Sequence, residues 1–260
     1  MSQARLAARA LVFGYGATAI GRDVDIDVRA GEVLCLLGPN GSGKTTLFKT
    51  LLGLLPPLAG RVLLDGLPMA ELSRQDVARR VAYVPQAHTA QFPFRVIDMV
   101  VMGRTAHLGL FAAPTQQDRQ RAEEALALLG IADLAEREYT RISGGQRQLA
   151  LVARALVQDA PAIVMDEPTA NLDFGNQVIV LSEVKRLAAR GLAVLLSTHD
   201  PDHAFSIASR VALLDAGRFL DQGSPQAVLT PDRLKLVYGV DVTVDRLPSG
   251  QTVCSPVYGS

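Results

Sequence analysis

Residues Gly38-Pro39-Asn40-Gly41-Ser42-Gly43-Lys44-Thr45 fit the spacing G-x-x-x-x-G-K-[ST] without a mismatch. The chemistry of that spacing is anion binding. Its glycines let backbone N–H groups turn inward around phosphate oxygens. A helix that opens there aims its N-terminus at the same oxygens. Lys44 would reach the β- and γ-phosphates, and the hydroxyl of Thr45, with Thr46 behind it, would ligate Mg²⁺. A second group of chemical residues, Asp166 and Glu167, closes the apolar run 162–165. So apolar a strand buries its length and delivers the two acids at its C-terminal edge, where α/β sheets bind ligands. Alternation along the strand turns Glu167 away from Asp166. Asp166 is then expected to hold Mg²⁺, directly or through water, and Glu167 to polarise an attacking water as general base. An acidic pair before Pro168 also suits a helix cap; the phosphate loop favours the catalytic reading. Ser143-Gly144-Gly145-Gln146 offers free N–H groups, a helix N-terminus and a hydroxyl. With no lysine and no metal ligand it is half of an anion site, and standing alone it reads first as an ordinary Ser N-cap.

The elements that must position these residues follow from periodicity. Short or alternating apolar runs predict strands at 11–13, 24–28, 32–37, 61–64, 81–84, 162–165, 193–196 and 211–214. Apolar residues at 3.6 spacing predict helices at 97–104, 116–129 and 146–158, the last with one stripe of Leu149, Val152, Ala153, Leu156 and Val157. A helix follows the glycine loop through Leu52, and others lie near 176–190 and 201–209. Strand, helix, strand repetition marks an α/β fold with a largely parallel sheet. A helical insertion interrupts it. The stretch after Gln222 is short and leaves little room for a regulatory domain.

Taken together the motifs carry a resemblance. Residues 142–149, Ile-Ser-Gly-Gly-Gln-Arg-Gln-Leu, resemble the signature of ATP-binding-cassette (ABC) ATPases, with Ile142 where Leu is commoner. The family's other motifs appear in the family's order. Tyr15 resembles the aromatic that stacks on adenine, and Gln86 the glutamine that touches Mg²⁺ and the attacking water. Asn171-Leu172-Asp173 resembles the D-loop, and His199 the histidine that contacts the γ-phosphate. The resemblance implies a P-loop NTPase (RecA-like) core with an antiparallel β subdomain and an inserted α-helical subdomain. It divides the single ABC domain 1–260 into a core at 1–86 and 160–260 and a helical part at 87–159. It also implies ATP and Mg²⁺ as ligands and a head-to-tail homodimer. Each ATP then lies between one phosphate loop and the partner's Ser143–Gln146.

The short span from Gln86 to Ser143 excludes the coiled-coil arm of chromosome-maintenance relatives. One cassette argues against the tandem translation factors. The longest apolar runs fall short of the ~18 residues that a membrane helix needs, so fused exporters are excluded too. What remains is a cassette docking on two separate transmembrane permease subunits, and through them on a substrate-binding protein. Residues 96–107 resemble iron-chelate, haem, cobalamin and molybdate importers, whose usual form here is Gly-Arg-x-Pro-His; this chain has Ala106 for the proline. Residues 172–177 and Tyr238-Gly239-Val240 resemble the same subgroup, and are also ordinary helix-start and turn chemistry.

Composition bears on partners. The chain has 26 Lys plus Arg against 26 Asp plus Glu, so no basic excess offers a bulk grip on nucleic acid. The other class of function, a soluble ABC ATPase acting on a nucleic acid or an assembly, predicts such a basic surface. A catalytically dead scaffold is disfavoured because Lys44, Glu167 and His199 are all present. Two cysteines, Cys35 and Cys254, make no disulfide framework and suggest a reducing compartment. No signal-peptide core follows Arg5 and Arg9. The expected location is peripheral, on the cytoplasmic face of the cell (inner) membrane. A mean hydropathy of +0.20 hints at an apolar docking surface around residues 86–111.

Overall fold

The computed structural model describes residues 3–86, 93–109 and 112–258. The first strands are long: β1 (Ala4–Tyr15) and β2 (Thr18–Arg29) form a hairpin, joined by β4 (Ala59–Leu64) and the two-residue β5 (Leu67–Pro68) in an antiparallel sheet ordered β2-β1-β4-β5. Between them come β3 (Val33–Leu37) and α1 (Lys44–Leu51). The chain continues through α2 (Arg74–Arg80), β6 (Val81–Val84), α3 (Val96–Val101), α4 (Gln116–Leu128), α5 (Gly144–Leu156), β7 (Ala162–Asp166), α6 (Phe174–Ala189), β8 (Ala193–Thr198), α7 (Pro201–Ile207), β9 (Arg210–Asp215) and β10 (Arg218–Gly223). A second sheet is ordered β10-β9-β3-β8-β7-β6; it is parallel except for β10, which pairs antiparallel with β9.

Burial on both faces explains the continuous apolar runs of the parallel strands. Val33, Cys35 and Leu37 point into one core with α3, α4, α5 and α6, whereas Leu34 and Leu36 point into another with α1 and the antiparallel sheet. Strands β7, β8 and β9 split their residues in the same alternation. Cys35 lies inside this sandwich, and burial pushes its thiol up to about 12, which leaves it unreactive.

The structure differs from the expected elements in several places, adding α2 and β10 and lengthening β1 and β2. The expected helix at 97–104 is α-helical only to Val101 and tightens into a 3-10 segment, Met102–His107. The apolar run there turns mostly inward. Val96, Ile97 and Val100 are fully buried, whereas Phe94 and Met102 are exposed. The expected docking surface is thus narrower in its described part, and residues 87–92, 110 and 111 lie outside the described residues. After Gly223 the chain forms α8 (Pro225–Val228), α9 (Pro231–Tyr238) and a hairpin, β11 (Val242–Arg246) with β12 (Thr252–Pro256), more structure than the short tail suggested.

The Gly-Arg-x-x-His run has a structural role. A Cβ on Gly103 would stand 2.1 Å from the Arg154 carbonyl, so α5 passes too close for any side chain. Arg104 donates from Nε to Asp118 (2.9 Å) and from Nη1 to the Val157 carbonyl (2.8 Å), joining this segment to α4 and α5. The second Asp118 oxygen accepts from the Thr115 amide and hydroxyl, at 2.9 and 2.7 Å. Those bonds from Thr115, with the Arg104 guanidinium, hold the Asp118 carboxyl down to about 2. A depressed acid stabilises the fold fully above the usual carboxylate range, and the contribution is lost as pH falls toward 2. Arg104→Ala strands a buried carboxylate and frees a carbonyl; we expect a loss of about 3 kcal/mol in denaturant unfolding at neutral pH. The difference from the parent should shrink in acid, and an equal loss at pH 3 and pH 7 would contradict the ion-pair account.

Candidate active site

Four parallel strands end side by side, and each delivers part of the site at its C-terminal edge. In sheet order β3 leads to the phosphate loop, β8 to His199, β7 to Asp166 and Glu167, and β6 to Gln86. Gly43 closes the loop with φ of 101°, a backbone that favours glycine, and a Cβ there would come within 2.9 Å of Ile20. Helix α1 starts at Lys44 with no side-chain cap, so its first amides face the loop. Lys44 is nearly buried, and its ammonium donates to the carbonyls of Gly38 (2.6 Å) and Pro39 (3.0 Å). Desolvation pulls its pKa down, opposed by the charges of Glu167 and Asp166. The Ser42 hydroxyl is buried in the same loop with no hydrogen-bond partner among the described residues.

The two acids are separated differently from the strand-alternation argument. Asp166 is the last residue of β7, and Glu167 leaves the strand with φ of 45°. Alternation therefore does not reach Glu167; a left-handed turn aims it instead. Its strained backbone is held by a hydrogen bond from the Glu167 amide to Ser197 Oγ at 2.9 Å. The Ser197 hydroxyl in turn donates to Asp166 Oδ1 at 2.7 Å, while the Thr45 hydroxyl donates to Asp166 Oδ2 at 2.7 Å. Glu167 Oε2 accepts from Gln86 Nε2 at 3.1 Å and lies 3.3 Å from His199 Nδ1. One acid is thus engaged with hydroxyls, the other with an amide and an imidazole. Ser197 was absent from the sequence reading. The signal available was its place two residues before His199 at an apolar strand end.

The donor set suits a nucleotide with Mg²⁺. A hydroxyl and a carboxylate already in contact, Thr45 and Asp166, supply hard oxygen ligands. Among the described residues no group of three or more His, Cys, Asp or Glu is arranged to cage a metal.

The stretch 143–146 opens α5. Ser143 caps α5 by accepting from the Gln146 amide at 3.2 Å, and Gln146 Oε1 accepts from the Ser143 amide at 3.0 Å. The cap is therefore an ordinary capping box. Gly144 and Gly145 follow it with nothing but backbone to present. The Asn171 carbonyl and Leu172 lie 3.2 and 3.4 Å from where a Cβ on Gly145 would stand. So the D-loop and the signature share one edge of the molecule. Asp173 caps α6 through the Asn176 amide at 2.8 Å, and next to it Phe174 is 81% exposed. From α5, Gln148 Nε2 donates to the Pro85 carbonyl at 3.3 Å, one residue before Gln86. Tyr15, at the end of β1, exposes about half its surface (47%).

A phosphate loop facing two differently engaged acids on a mostly parallel sheet defines a P-loop nucleoside triphosphatase. The family is narrower. A model described as ABC transporter matches residues 22–170, and the chain belongs to that family as an ATPase coupled to transport. It is 42% identical to an uncharacterized ABC transporter ATP-binding protein of Haemophilus influenzae over 88% of this chain and 87% of the relative. Identity to a hemin import ATP-binding protein of Nocardia farcinica is 43%, over 90% of this chain and 81% of that one. Cobalamin and molybdate import ATP-binding proteins match at 39% and 37% identity. Among solved structures, a metal-chelate type ABC transporter in an inward-facing conformation superposes with a TM-score of 0.85 at 34% identity, covering 99% of this chain and 98% of that one. Among the described residues no helix is long and apolar enough to cross a membrane.

Glu167→Gln keeps an oxygen acceptor for Gln86 and His199 but loses the base. We expect ATP to bind with little change and turnover to fall by about a hundredfold or more. Hydrolysis at the parent rate in a phosphate-release assay would remove Glu167 from that role.

Proposed function

We propose that this chain powers a membrane importer of metal chelates, iron–siderophore, haem, cobalamin or a metal oxyanion such as molybdate, through ATP-driven closure of a homodimer. The observation that carries the reading is the convergence on Glu167 Oε2 of Gln86 and His199, beside an Asp166 tied to Thr45. The loop from Gly38 through Pro39, Asn40, Gly41, Ser42 and Gly43, with Lys44, Thr45 and Thr46, takes the phosphates. Tyr15 stacks on the adenine. Mg²⁺ would sit between Thr45, Asp166 and Gln86 and offset charge on the β- and γ-phosphates. Glu167 accepts the proton of the attacking water, and Gln86 and His199 hold it in line.

The half-site at Ser143, Gly144, Gly145 and Gln146 completes the site of a second copy. Asn171, Leu172 and Asp173 lie along the same edge, as a closed two-fold dimer requires. On this reading the core is 1–86 and 160–260, with a helical lobe at 87–159. The hydrogen bond from Gln148 to Pro85 links the two beside Gln86. A groove of about 490 Å³ between α1, α2 and α5, lined by Leu52, Leu54, Met69, Leu72, Val77 and Arg154, supports docking of a permease subunit. On this reading the chain works at the cytoplasmic face of the cell (inner) membrane. Nucleic acid is not a partner on this reading, since no basic excess favours one.

Support for the cargo class comes from the hemin, cobalamin and molybdate import relatives and from the metal-chelate type structure. The test is reconstitution with the cognate permease and binding protein in liposomes. ATP hydrolysis should rise with a chelate-loaded binding protein, and equal rates with every cargo would undo the class. Ser143→Arg should leave ATP binding by the single chain intact and abolish turnover, by filling the space for the partner's phosphate. Normal turnover in that variant would reject the composite site.

A further inference from the structure

Four residues past His199 stands a second histidine that the proposed mechanism does not use. His203 lies in the first turn of α7, and only 14% of its side chain is exposed. Its ring meets three residues. Nε2 lies 3.4 Å from Asp200 Oδ2. Nδ1 lies 3.3 Å from Thr198 Oγ1 and 3.5 Å from Thr169 Oγ1. A carboxylate only accepts, so the ring proton belongs on Nε2 and Nδ1 is left to accept from the two hydroxyls. The Thr198 hydroxyl suits that role, because its oxygen already accepts from the Asp200 amide at 3.1 Å. Thr169 is buried, and among the described residues its hydroxyl has His203 as its hydrogen-bond partner.

These contacts join two turns that meet at Glu167. Thr198 and Asp200 flank His199, so His203 holds that turn on both sides of it. Thr169 belongs to the turn that leaves Glu167, where the Ala170 amide donates to the Glu167 carbonyl at 3.2 Å. The Thr169 carbonyl accepts from the Leu172 amide at 3.1 Å and from Gln177 Nε2 at 3.4 Å, which ties this turn to residues 171–173 and to α6. Backbone pairing between β7 and β8 ends at Asp166 and Ser197. Beyond that rung side chains must do the joining. Ser197 takes the Glu167 amide, and His203 takes Thr169. His199 has 59% of its side chain exposed, and among the described residues its polar contact is Glu167 Oε2 at 3.3 Å. Its ring is therefore placed chiefly by the backbone of its own turn. Helix α7 is anchored in turn. The Asp202 amide donates to Asp200 Oδ1 at 2.8 Å, and the Cys254 amide of β12 donates to Asp202 Oδ1 at 2.7 Å.

We propose that His203 is a positioning residue for ATP hydrolysis: it ties the 198–200 turn to the turn after Glu167 and so keeps the His199 ring at Glu167 Oε2. The inference rests on the reading of this site as an ATPase, and it adds a residue that none of the motifs behind that reading contains. Loss of the ring leaves two buried hydroxyls without their acceptor, and a buried polar group without a partner favours any shift that finds it one.

The test compares the full-length parent with His203→Ala, His203→Asn, Thr169→Val and the double variant of His203→Ala with Thr169→Val. His203→Ala should lower kcat about fivefold while KM for ATP stays within about twofold. His203→Asn keeps an acceptor near the place of Nδ1 and should regain roughly half of the lost rate. Thr169→Val keeps the shape of the side chain and removes the hydroxyl. Its own loss of kcat should vanish into that of His203→Ala in the double variant, since both remove one contact. Hydrogen exchange of peptides 167–172 and 198–203, measured without nucleotide, should rise in His203→Ala and in Thr169→Val. A parental kcat in His203→Ala overturns the proposal, and so do losses that multiply in the double variant. If His203→Ala does not fold, Thr169→Val carries the decision, and parental kcat and exchange in that variant reject the link. A parent that hydrolyses no ATP would sink the ATPase reading instead, and the exchange comparison would still decide whether His203 joins the two turns.

Discussion

Two neighbouring carboxylates, Asp166 and Glu167, engage different partners, and the rest of the structure depends on keeping them apart. Like charges this close repel each other. The chain separates them by ending β7 at Asp166 and giving Glu167 a left-handed backbone. Ser197 stabilises that turn from both sides, accepting the Glu167 amide and donating to Asp166. Because β7 and β8 pair in parallel with Asp166 opposite Ser197, the register of two buried strands sets the spacing of the acids. The apolar bulk of the sheet is what makes that register rigid.

A consequence is that the site's precision comes from elements far from it. Gln86 approaches Glu167 from β6, whose exit is held by Gln148 of the signature helix. That helix is fixed in turn by the close passage of Gly103 and by Arg104 bonding the Val157 carbonyl. The half-site at Ser143 and the glutamine at residue 86 thus belong to one packed unit. Movement of the helical part by a second copy or a membrane subunit would reach Glu167 through a chain of named contacts. The Gly-Arg-x-x-His run, which first stood only as a likeness to an importer subgroup, has in this fold the physical job of joining that unit.

Much of the site was legible because phosphate chemistry constrains local sequence. A loop of backbone amides needs glycines at fixed spacing, and an apolar strand ending in acids marks a ligand edge. Gly38 through Gly43 lie between β3 and α1, which begins at Lys44, and Asp166 ends β7 with Glu167 next to it; His199, just after β8, was named on the family resemblance alone. The orientation of Glu167 was not legible, because alternation applies only while the strand continues. Ser197 was missed because a serine ending an apolar run carries no motif; its role exists only across the β7–β8 pair. The stretch 86–111 read as an apolar docking surface because mean hydropathy does not say which neighbour covers an apolar run.

By itself, then, the sequence determined the order of elements, the phosphate-binding chemistry and the residues that could act on water. Those depend on residues close together in the chain. Only the tertiary structure decided which acid faces Thr45 and which faces Gln86 and His199, and that residues 171–172 lie against Gly145. Each of these is set by contacts between elements distant in sequence, through parallel strand register and helix packing that local propensity does not encode.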